Sequence, residues 1–317
     1  MQKKIKTAVI GLGNMGINHV RKYLQIDQAQ LAAVSDVDKS LIEKLKTEYP
    51  DLKYYQDYQE MLDQAKPDAV NIVVPTKYHY EVAKAAIVKK IHVLIEKPMA
   101  DSVAEAESLI QLAKENQVVL MVGHVERFNP VVKKIKELLV SGKLGEIITI
   151  QGQRVSPMPA QIKDTNVLMD LAIHDIDLFN YFFDKLPNKI IKHASSFVLA
   201  DRADHVEIFL DYGKSSGFIK ANWLTPIRIR GVSITGTKGY LESNYLTQKI
   251  WFYQGQVDLN KASRDAVLSE AEEIMVNQEE SLKNELIHFI NAIINKIEPL
   301  TSGQAALDAL KLVQTEE

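Results

Sequence analysis

Between an apolar run, Ile5 to Ile10, and a helical pattern that begins at Gly16 stands Gly11-Leu12-Gly13-Asn14-Met15-Gly16. Three glycines at this spacing, directly after a strand-like run and directly before a helix, leave few folds open. One glycine permits the tight turn, one lets backbone approach a pyrophosphate, and one lets the helix lie against its strand. The helix start also aims unpaired N–H groups at an anion. Strand, glycine turn and helix in that order are the context the dinucleotide fingerprint requires. Gly11, Gly13, Asn14, Met15 and Gly16 are therefore expected to bind the cofactor. Asp36 follows the next strand-like run, Leu31 to Ser35, and lies 20 residues beyond Gly16, the spacing of a carboxylate for the adenosine ribose. A carboxylate there accepts from ribose hydroxyls and repels a 2′-phosphate, which favours NAD over NADP. Asp38 can cap the following helix, leaving Asp36 for the ribose.

A second motif needs the first in space. Glu96-Lys97-Pro98 follows the apolar run Ile91 to Ile95, at a strand carboxyl end, where open α/β sheets place their chemistry. The proline biases the residue before it toward extended geometry, so Lys97 is held at the turn. A lysine amine is ordinarily too basic to act as a base at neutral pH. Partial burial beside the positive ring of NAD favours the neutral amine, which could take a hydroxyl proton as hydride leaves the same carbon. Val74-Pro75-Thr76-Lys77-Tyr78-His79 ends another run and opens a helix. Pro75, Thr76 and His79, with Glu96 and Lys97, are placed for the nicotinamide half. A simple strand-to-helix turn explains His79 equally well.

The first part of the chain alternates Val- and Ile-rich runs with helical patterns up to about Val122. That alternation predicts a doubly wound parallel sheet. After Gly123 the pattern changes to β-rich runs separated by short turns, such as Asp211-Tyr212-Gly213 and Gly236-Thr237-Lys238-Gly239, with helical patterns over Val167 to Phe183, Glu279 to Asn295 and Gln304 to Val313. Consecutive strands with short turns predict an antiparallel sheet. The expected division is a dinucleotide-binding Rossmann domain over 1–122 and an α+β domain for substrate and oligomerisation over 123–317, its last helix able to pack back on the first.

The chain has 317 residues with a net charge of −3, which gives no broad basic field for nucleic acid. It has no cysteine, which excludes disulfides, thiolate metal sites and a cysteine nucleophile. No stretch approaches the ~20 apolar residues of a membrane helix. The basic opening Met1-Gln2-Lys3-Lys4 precedes a run that glycines soon interrupt, so it reads as the approach to a first core strand rather than a leader. A cytoplasmic protein is expected.

In the second half, Asp170 and His174 stand four apart in a helical pattern, hence on one face, among Leu168, Leu171, Ala172, Ile173 and Ile176. A histidine buried beside carboxylates can relay a proton or orient a hydroxyl. It can also be satisfied by Asp170 or Asp177 with no chemistry at all. One histidine with acids on one helix is a thin ligand set, so no metal is expected. Arg228 and Arg230 alternate along one run and project from one face. With Arg127, Arg154 and Asp175, Arg228 forms the substrate-side set, arginine suiting bidentate contact with phosphate.

Gly11-x-Gly13-x-x-Gly16, Glu96-Lys97-Pro98, Arg127-Phe128-Asn129-Pro130 and Asp170-x-x-x-His174 occur in an order that resembles the glucose-fructose oxidoreductase / inositol dehydrogenase / rhizopine-catabolism (Gfo/Idh/MocA) family along nearly the whole chain. The resemblance implies a Rossmann domain followed by an α+β domain with an open antiparallel sheet. It implies Lys97 as base or hydroxyl anchor with His174 and Asp170 beside it, and a homodimer or homotetramer formed through the flat sheet face. The runs Gly123 to Val132, Leu171 to Asp177 and Asn222 to Pro226 resemble the branch that oxidises UDP-N-acetylglucosamine-type sugars at C3. One departure is Thr165-Asn166, where many members carry glycine upstream of the aspartate. The activity so implied is NAD-dependent hydride transfer at a secondary alcohol of a sugar or sugar nucleotide. The alternatives are an inositol or free-sugar dehydrogenase, or a non-catalytic NAD-sensing regulatory protein.

Overall fold

The computed structural model describes residues 4–159, 165–255 and 269–315; the basic opening Met1-Gln2-Lys3 lies outside them. The chain divides into two compact units, residues 1–125 with 280–307, and residues 126–279 with 308–317. The continuous boundary expected at 122/123 therefore lies close to the first division, while residues 280–307 return to the first unit.

The first unit carries a six-stranded parallel sheet in the order β3-β2-β1-β4-β5-β6. Its strands are β1 (Ile5–Ile10), β2 (Ala29–Ser35), β3 (Lys53–Tyr55), β4 (Ala69–Ile72), β5 (His92–Glu96) and β6 (Leu120–Gly123). The interleaved helices are α1 (Asn14–Tyr23), α2 (Lys39–Glu48), α3 (Tyr58–Ala65), α4 (His79–Val88) and α5 (Val103–Asn116). Local chemistry sets the helix starts. Asp38 caps α2 by accepting from Ser40 N at 2.8 Å, and Ser102 caps α5 by accepting from Glu105 N at 3.2 Å. Each such cap stabilises by about 1 kcal/mol. Every residue of β4 is buried, as in a strand covered on both faces. β3 was not foreseen, because Lys53-Tyr54-Tyr55 is too short and polar to read as a strand. The order reverses between β1 and β4, which makes that crevice the switch point at which such sheets bind ligands.

The second unit holds an eight-stranded sheet in the order β14-β13-β12-β11-β7-β10-β9-β8. In chain order it comprises α6 (Pro130–Val140), β7 (Ile147–Pro157), α7 (Ile173–Phe183), β8 (Lys189–Ser195), β9 (His205–Asp211), β10 (Ser216–Asn222), β11 (Leu224–Gly236), β12 (Gly239–Asn244), β13 (Lys249–Gln254) and β14 (Ala271–Ile274). The sheet is mixed rather than purely antiparallel: β7 inserts between β10 and β11 and runs parallel to β10, Gln151 opposite Phe218. Short turns could not reveal that pairing, because it joins residues far apart in the chain, such as Gln151 and Phe218. One face is packed under Val131 and Ile135 of α6 and Ile176 and Phe179 of α7, against Ile150, Ile219 and Val232. The opposite face presents Gln151, Phe209, Phe218 and Lys220, with the Phe209 and Phe218 rings 5.1 Å apart in register. The remaining helices are α8 (Ser281–Asn295) and α9 (Gly303–Gln314). Among the described residues no helix is long and apolar enough to cross a membrane.

Candidate functional site

A cleft of about 820 Å³ opens in the first unit along the ends of β1, β2, β4 and β5, lined among others by Gly11, Gly13, Asp36, Val74, Pro75 and Glu96. The glycines have separable reasons. Gly11 has φ +94°, and a Cβ there would lie 2.3 Å from the Val73 carbonyl oxygen. A Cβ on Gly16 would lie 1.9 Å from the Gly11 oxygen, so the helix could not pass so close to the turn. A Cβ on Gly13 would meet no protein atom within 4 Å. Gly13 is exposed, lines the cleft and begins α1 with no side-chain cap. Its lack of a side chain leaves space for a ligand at a helix N-terminus, as a pyrophosphate requires. Gly16→Ala is expected to weaken NADH binding more than tenfold (~1.4 kcal/mol or more), read by fluorescence titration. Unchanged affinity would show that the turn can relax.

Asp36 reaches the same cleft. Its Oδ2 accepts from Leu12 N at 2.6 Å and its Oδ1 from Asp38 N at 2.8 Å. The carboxylate is thus fixed by the glycine turn itself, and each oxygen keeps a lone pair for a further donor. Asn14 and Met15 also line the cleft. Val37, Tyr58 and Tyr78 line it as well and were missed in the sequence; only the position of Val37, directly after Asp36, pointed to it.

His79 is not among the residues that line the cleft. Its ring is 1% exposed, with Nδ1 2.8 Å from the Pro98 carbonyl and Nε2 2.9 Å from the Val74 carbonyl. Burial holds this imidazole below its ordinary pKa, so the neutral ring donates to one carbonyl at a time. His79 ties the Pro75 turn to the Lys97-Pro98 turn, whose peptide bond is cis. Thr76 opens the short 3₁₀ turn Thr76–Tyr78. Lys97 itself is half-buried at the end of β5.

A chain of polar groups, buried at Tyr23, Asn71 and His19, runs up to Glu96 at the cleft. The Tyr23 hydroxyl donates to Asn71 Oδ1 at 2.5 Å, Asn71 Nδ2 meets His19 Nδ1 at 2.8 Å, and His19 Nε2 meets Glu96 Oε1 at 3.0 Å. Burial alone would raise the Glu96 carboxyl, but the His19 hydrogen bond and the charge of Lys97 hold it below the usual range. Glu285 of α8, fully buried, goes the other way: burial and the charge on Glu96 push its carboxyl well above the ordinary value. Neither Glu285 oxygen has a hydrogen-bond partner among the described residues. In the acid range, folded and unfolded chains both carry this proton. As pH rises past the unfolded carboxyl's range, only the unfolded chain releases it, and stability falls. Glu285→Gln is therefore expected to match the parent at acid pH and to exceed its Tm by roughly 2–4 °C per kcal/mol gained near neutrality. A variant no more stable than the parent at neutral pH would refute a neutral buried acid.

The second unit places Asp170 and His174 on a widened turn. Asp170 lies in a π-helical segment, Leu168–Ala172, which runs into α7, and His174 occupies the first turn of α7. Both are half-buried. The i→i+5 turn means that the pair is not in strict α-helical register, and such turns are frequent at functional sites. Asn166 caps this turn, its Oδ1 accepting from Met169 N at 3.0 Å, a role a glycine side chain could not fill.

Three of the four substrate-side candidates are engaged with one another or with neighbouring acids. Arg127 grips Asp177 through Nε at 2.7 Å and Nη2 at 2.6 Å. Arg154, 1% exposed, reaches Asp175 through Nε at 2.9 Å and Nη2 at 3.0 Å, and Glu126 through Nη1 at 2.7 Å. The two carboxylates raise Arg154 further above its already high pKa, and Arg154 holds Glu126 below the carboxylate range. Arg230 adds a looser contact with Glu126 at 3.6 Å. These donors are directed at carboxylates inside the unit, in place of the phosphate contact expected of Arg127 and Arg154, and Asp175, expected on the substrate side, is the partner of Arg154. Arg228 alone of the four is exposed, on the stretch of β11 between Leu224 and Ile229 where pairing with β7 loses register.

Comparison with known proteins accords with this architecture. Residues 5–124 match the oxidoreductase family with NAD-binding Rossmann fold, GFO_IDH_MocA, and residues 132–242 match the GFO/IDH/MocA C-terminal domain. The UDP-N-acetylglucosamine 3-dehydrogenase of Acidithiobacillus ferrooxidans is 34% identical over 174 residues, covering 55% of this chain and 53% of that protein. The myo-inositol 2-dehydrogenase of Thermotoga maritima is 29% identical over 198 residues, 61% and 59% of the two chains. This chain thus spans little more than half the length of these curated relatives. The solved structure of the Acidithiobacillus ferrooxidans UDP-N-acetylglucosamine 3-dehydrogenase superposes with a TM-score of 0.86 at 27% identity, covering 98% of this chain and 95% of that one. With its parallel nucleotide-binding sheet and its open second sheet, the chain belongs to the GFO/IDH/MocA oxidoreductase family.

Proposed function

We propose that the protein is a cytoplasmic NAD-dependent dehydrogenase that moves a hydride between a secondary alcohol of a sugar and nicotinamide, its preferred substrate a UDP-N-acetylhexosamine oxidised at C3. The observation that carries the reading is the glycine cradle with Asp36 bonded to its Leu12 N–H. That arrangement suits a dinucleotide whose ribose hydroxyls donate to a fixed carboxylate. When bound, NAD supplies the hydride acceptor. Lys97, at the carboxyl end of β5, handles the hydroxyl proton, and His174 with Asp170 orients the hydroxyl. Asp36→Ser is expected to raise the KM for NAD and to narrow the preference over NADP about tenfold, one charge-assisted contact's worth. An unaltered cofactor preference would remove Asp36 from the discrimination.

The sugar-nucleotide reading is supported by the relative named as a UDP-N-acetylglucosamine 3-dehydrogenase, whereas the myo-inositol 2-dehydrogenase relative supports the alternative. A second reading, an inositol or free-sugar dehydrogenase, draws on the engagement of Arg127 and Arg154 with buried carboxylates, which leaves Arg228 as the exposed arginine of the substrate-side set. A panel of UDP-sugars, free sugars and inositols incubated with NAD separates the two by nicotinamide absorbance. Reduction by inositols alone would favour the second, and NADH binding without reduction by any of them would favour a sensing protein. The same reading includes a homodimer or homotetramer built on the open sheet face, where Ile191, Phe218 and Tyr240 stand exposed.

A further inference from the structure

Asn71 is the one polar residue of β4, and it is fully buried between β1 and β5. Burying an amide is costly unless its donors and acceptors are met. Here they are met in one direction. The Tyr23 hydroxyl donates to the amide oxygen, so the amide nitrogen donates to His19 Nδ1. Nδ1 is then an acceptor, and the imidazole proton sits on Nε2, pointed at Glu96. The reverse assignment would put a bare nitrogen against a carboxylate unless the ring were charged. On another side, a Cβ at Gly123, the last residue of β6, would lie 3.0–3.2 Å from the Glu96 carboxyl atoms. Glu96 is thus seated closely over Gly123, where a Cβ would press on its carboxyl, and it is gripped by a ring whose tautomer is set from behind. Of the two carboxyls in this region, half-buried Glu96 has the imidazole donor, while fully buried Glu285 has no hydrogen-bond partner among the described residues.

The geometry points to His19 as a positioning residue that, oriented by Tyr23 and Asn71, fixes the Glu96 carboxylate and through it the setting of the adjacent Lys97. Glu96 both lines the cofactor cleft and precedes Lys97 in the chain. A carboxylate released from His19 would change the field at the lysine and the shape of the cleft together. The mechanistic part of the inference rests on the dehydrogenase reading above. The hydrogen-bond part does not.

Two measurements on the full chain test it. The first uses ¹⁵N-imidazole spectra of the parent protein, with His19 assigned by His19→Gln. The expected signature is a ring protonated at Nε2 with bare Nδ1; an Nδ1–H tautomer overturns the inference. The second compares His19→Leu with His19→Gln. Glutamine offers an amide oxygen to Asn71 and an amide nitrogen to Glu96, whereas leucine offers neither. His19→Leu is expected to lower kcat by about 10–100-fold, the scale of loss when a group near the chemistry is displaced by about 1 Å, with little change in KM for NAD. His19→Gln should recover most of that loss. Equal losses in two folded variants would reduce His19 to a packing residue and overturn the inference. Should no substrate be found, the rate at which an amine-directed reagent modifies Lys97, mapped by mass spectrometry, replaces kcat. It is expected to change in His19→Leu and to return toward the parent value in His19→Gln. Identical rates in all three proteins would overturn the inference while leaving the question of substrate untouched.

Discussion

Lys97→Ala is expected to lower turnover by about 10²–10⁴-fold, the contribution of a positioned acid–base group, while NADH affinity stays within a few-fold of the parent. The asymmetry follows from position. Lys97 lies at the end of β5, outside the glycine turn and Asp36, so its loss leaves the cradle intact. Its amine would act only when the substrate hydroxyl changes protonation, so removing it should lower kcat rather than cofactor binding. Steady-state rates with whichever alcohol reduces NAD, beside an NADH titration, check both halves. Undiminished turnover would remove the lysine from the mechanism, and a parallel collapse of NADH binding would make it a cofactor residue instead.

The second large effect concerns stability. Arg154→Met would leave Asp175 and Glu126 buried without the cation that bridges them. Removing one partner of a buried ion pair destabilises by about 3–5 kcal/mol, because the remaining charge is left in a poorly polarisable interior. Arg230→Met should cost about 1 kcal/mol or less, since that side chain is 34% exposed and its contact is 3.6 Å. Both tryptophans, Trp223 and Trp251, belong to the second unit, so their fluorescence in urea reports that unit's unfolding alone. Adding Glu126→Gln and Asp175→Asn to Arg154→Met should recover part of the loss, as the uncompensated charges disappear. A single Arg154→Met as stable as the parent would show that the network contributes nothing.

The histidines show where sequence reading stops. From the sequence, His79 fits a cofactor contact and a simple strand-to-helix turn equally well. In the structure it is a buried tie between two backbone carbonyls, because α4 turns its first residue inward beside the Lys97-Pro98 turn. His19 lay inside the fingerprint helix and went unnoticed. Its importance depends on Asn71 and Glu96, 52 and 77 residues away, meeting it across the sheet. A polar residue within the apolar run around Ile72 was the one available signal.

By itself the sequence determined what rests on local geometry. The glycine spacing, the strand–helix alternation and the position of Asp36 each encode their structure within a few dozen residues, because tight turns, helix caps and buried parallel strands constrain residue type directly. Tertiary structure alone decided which charges face a ligand and which neutralise one another. In the sequence the arginines at 127 and 154 are both candidates for a phosphate, Arg127 the stronger; in the fold Asp177, Asp175 and Glu126 lie against them. A guanidinium is directed by whichever carboxylate the fold buries beside it, and that choice is made by contacts far apart in the chain.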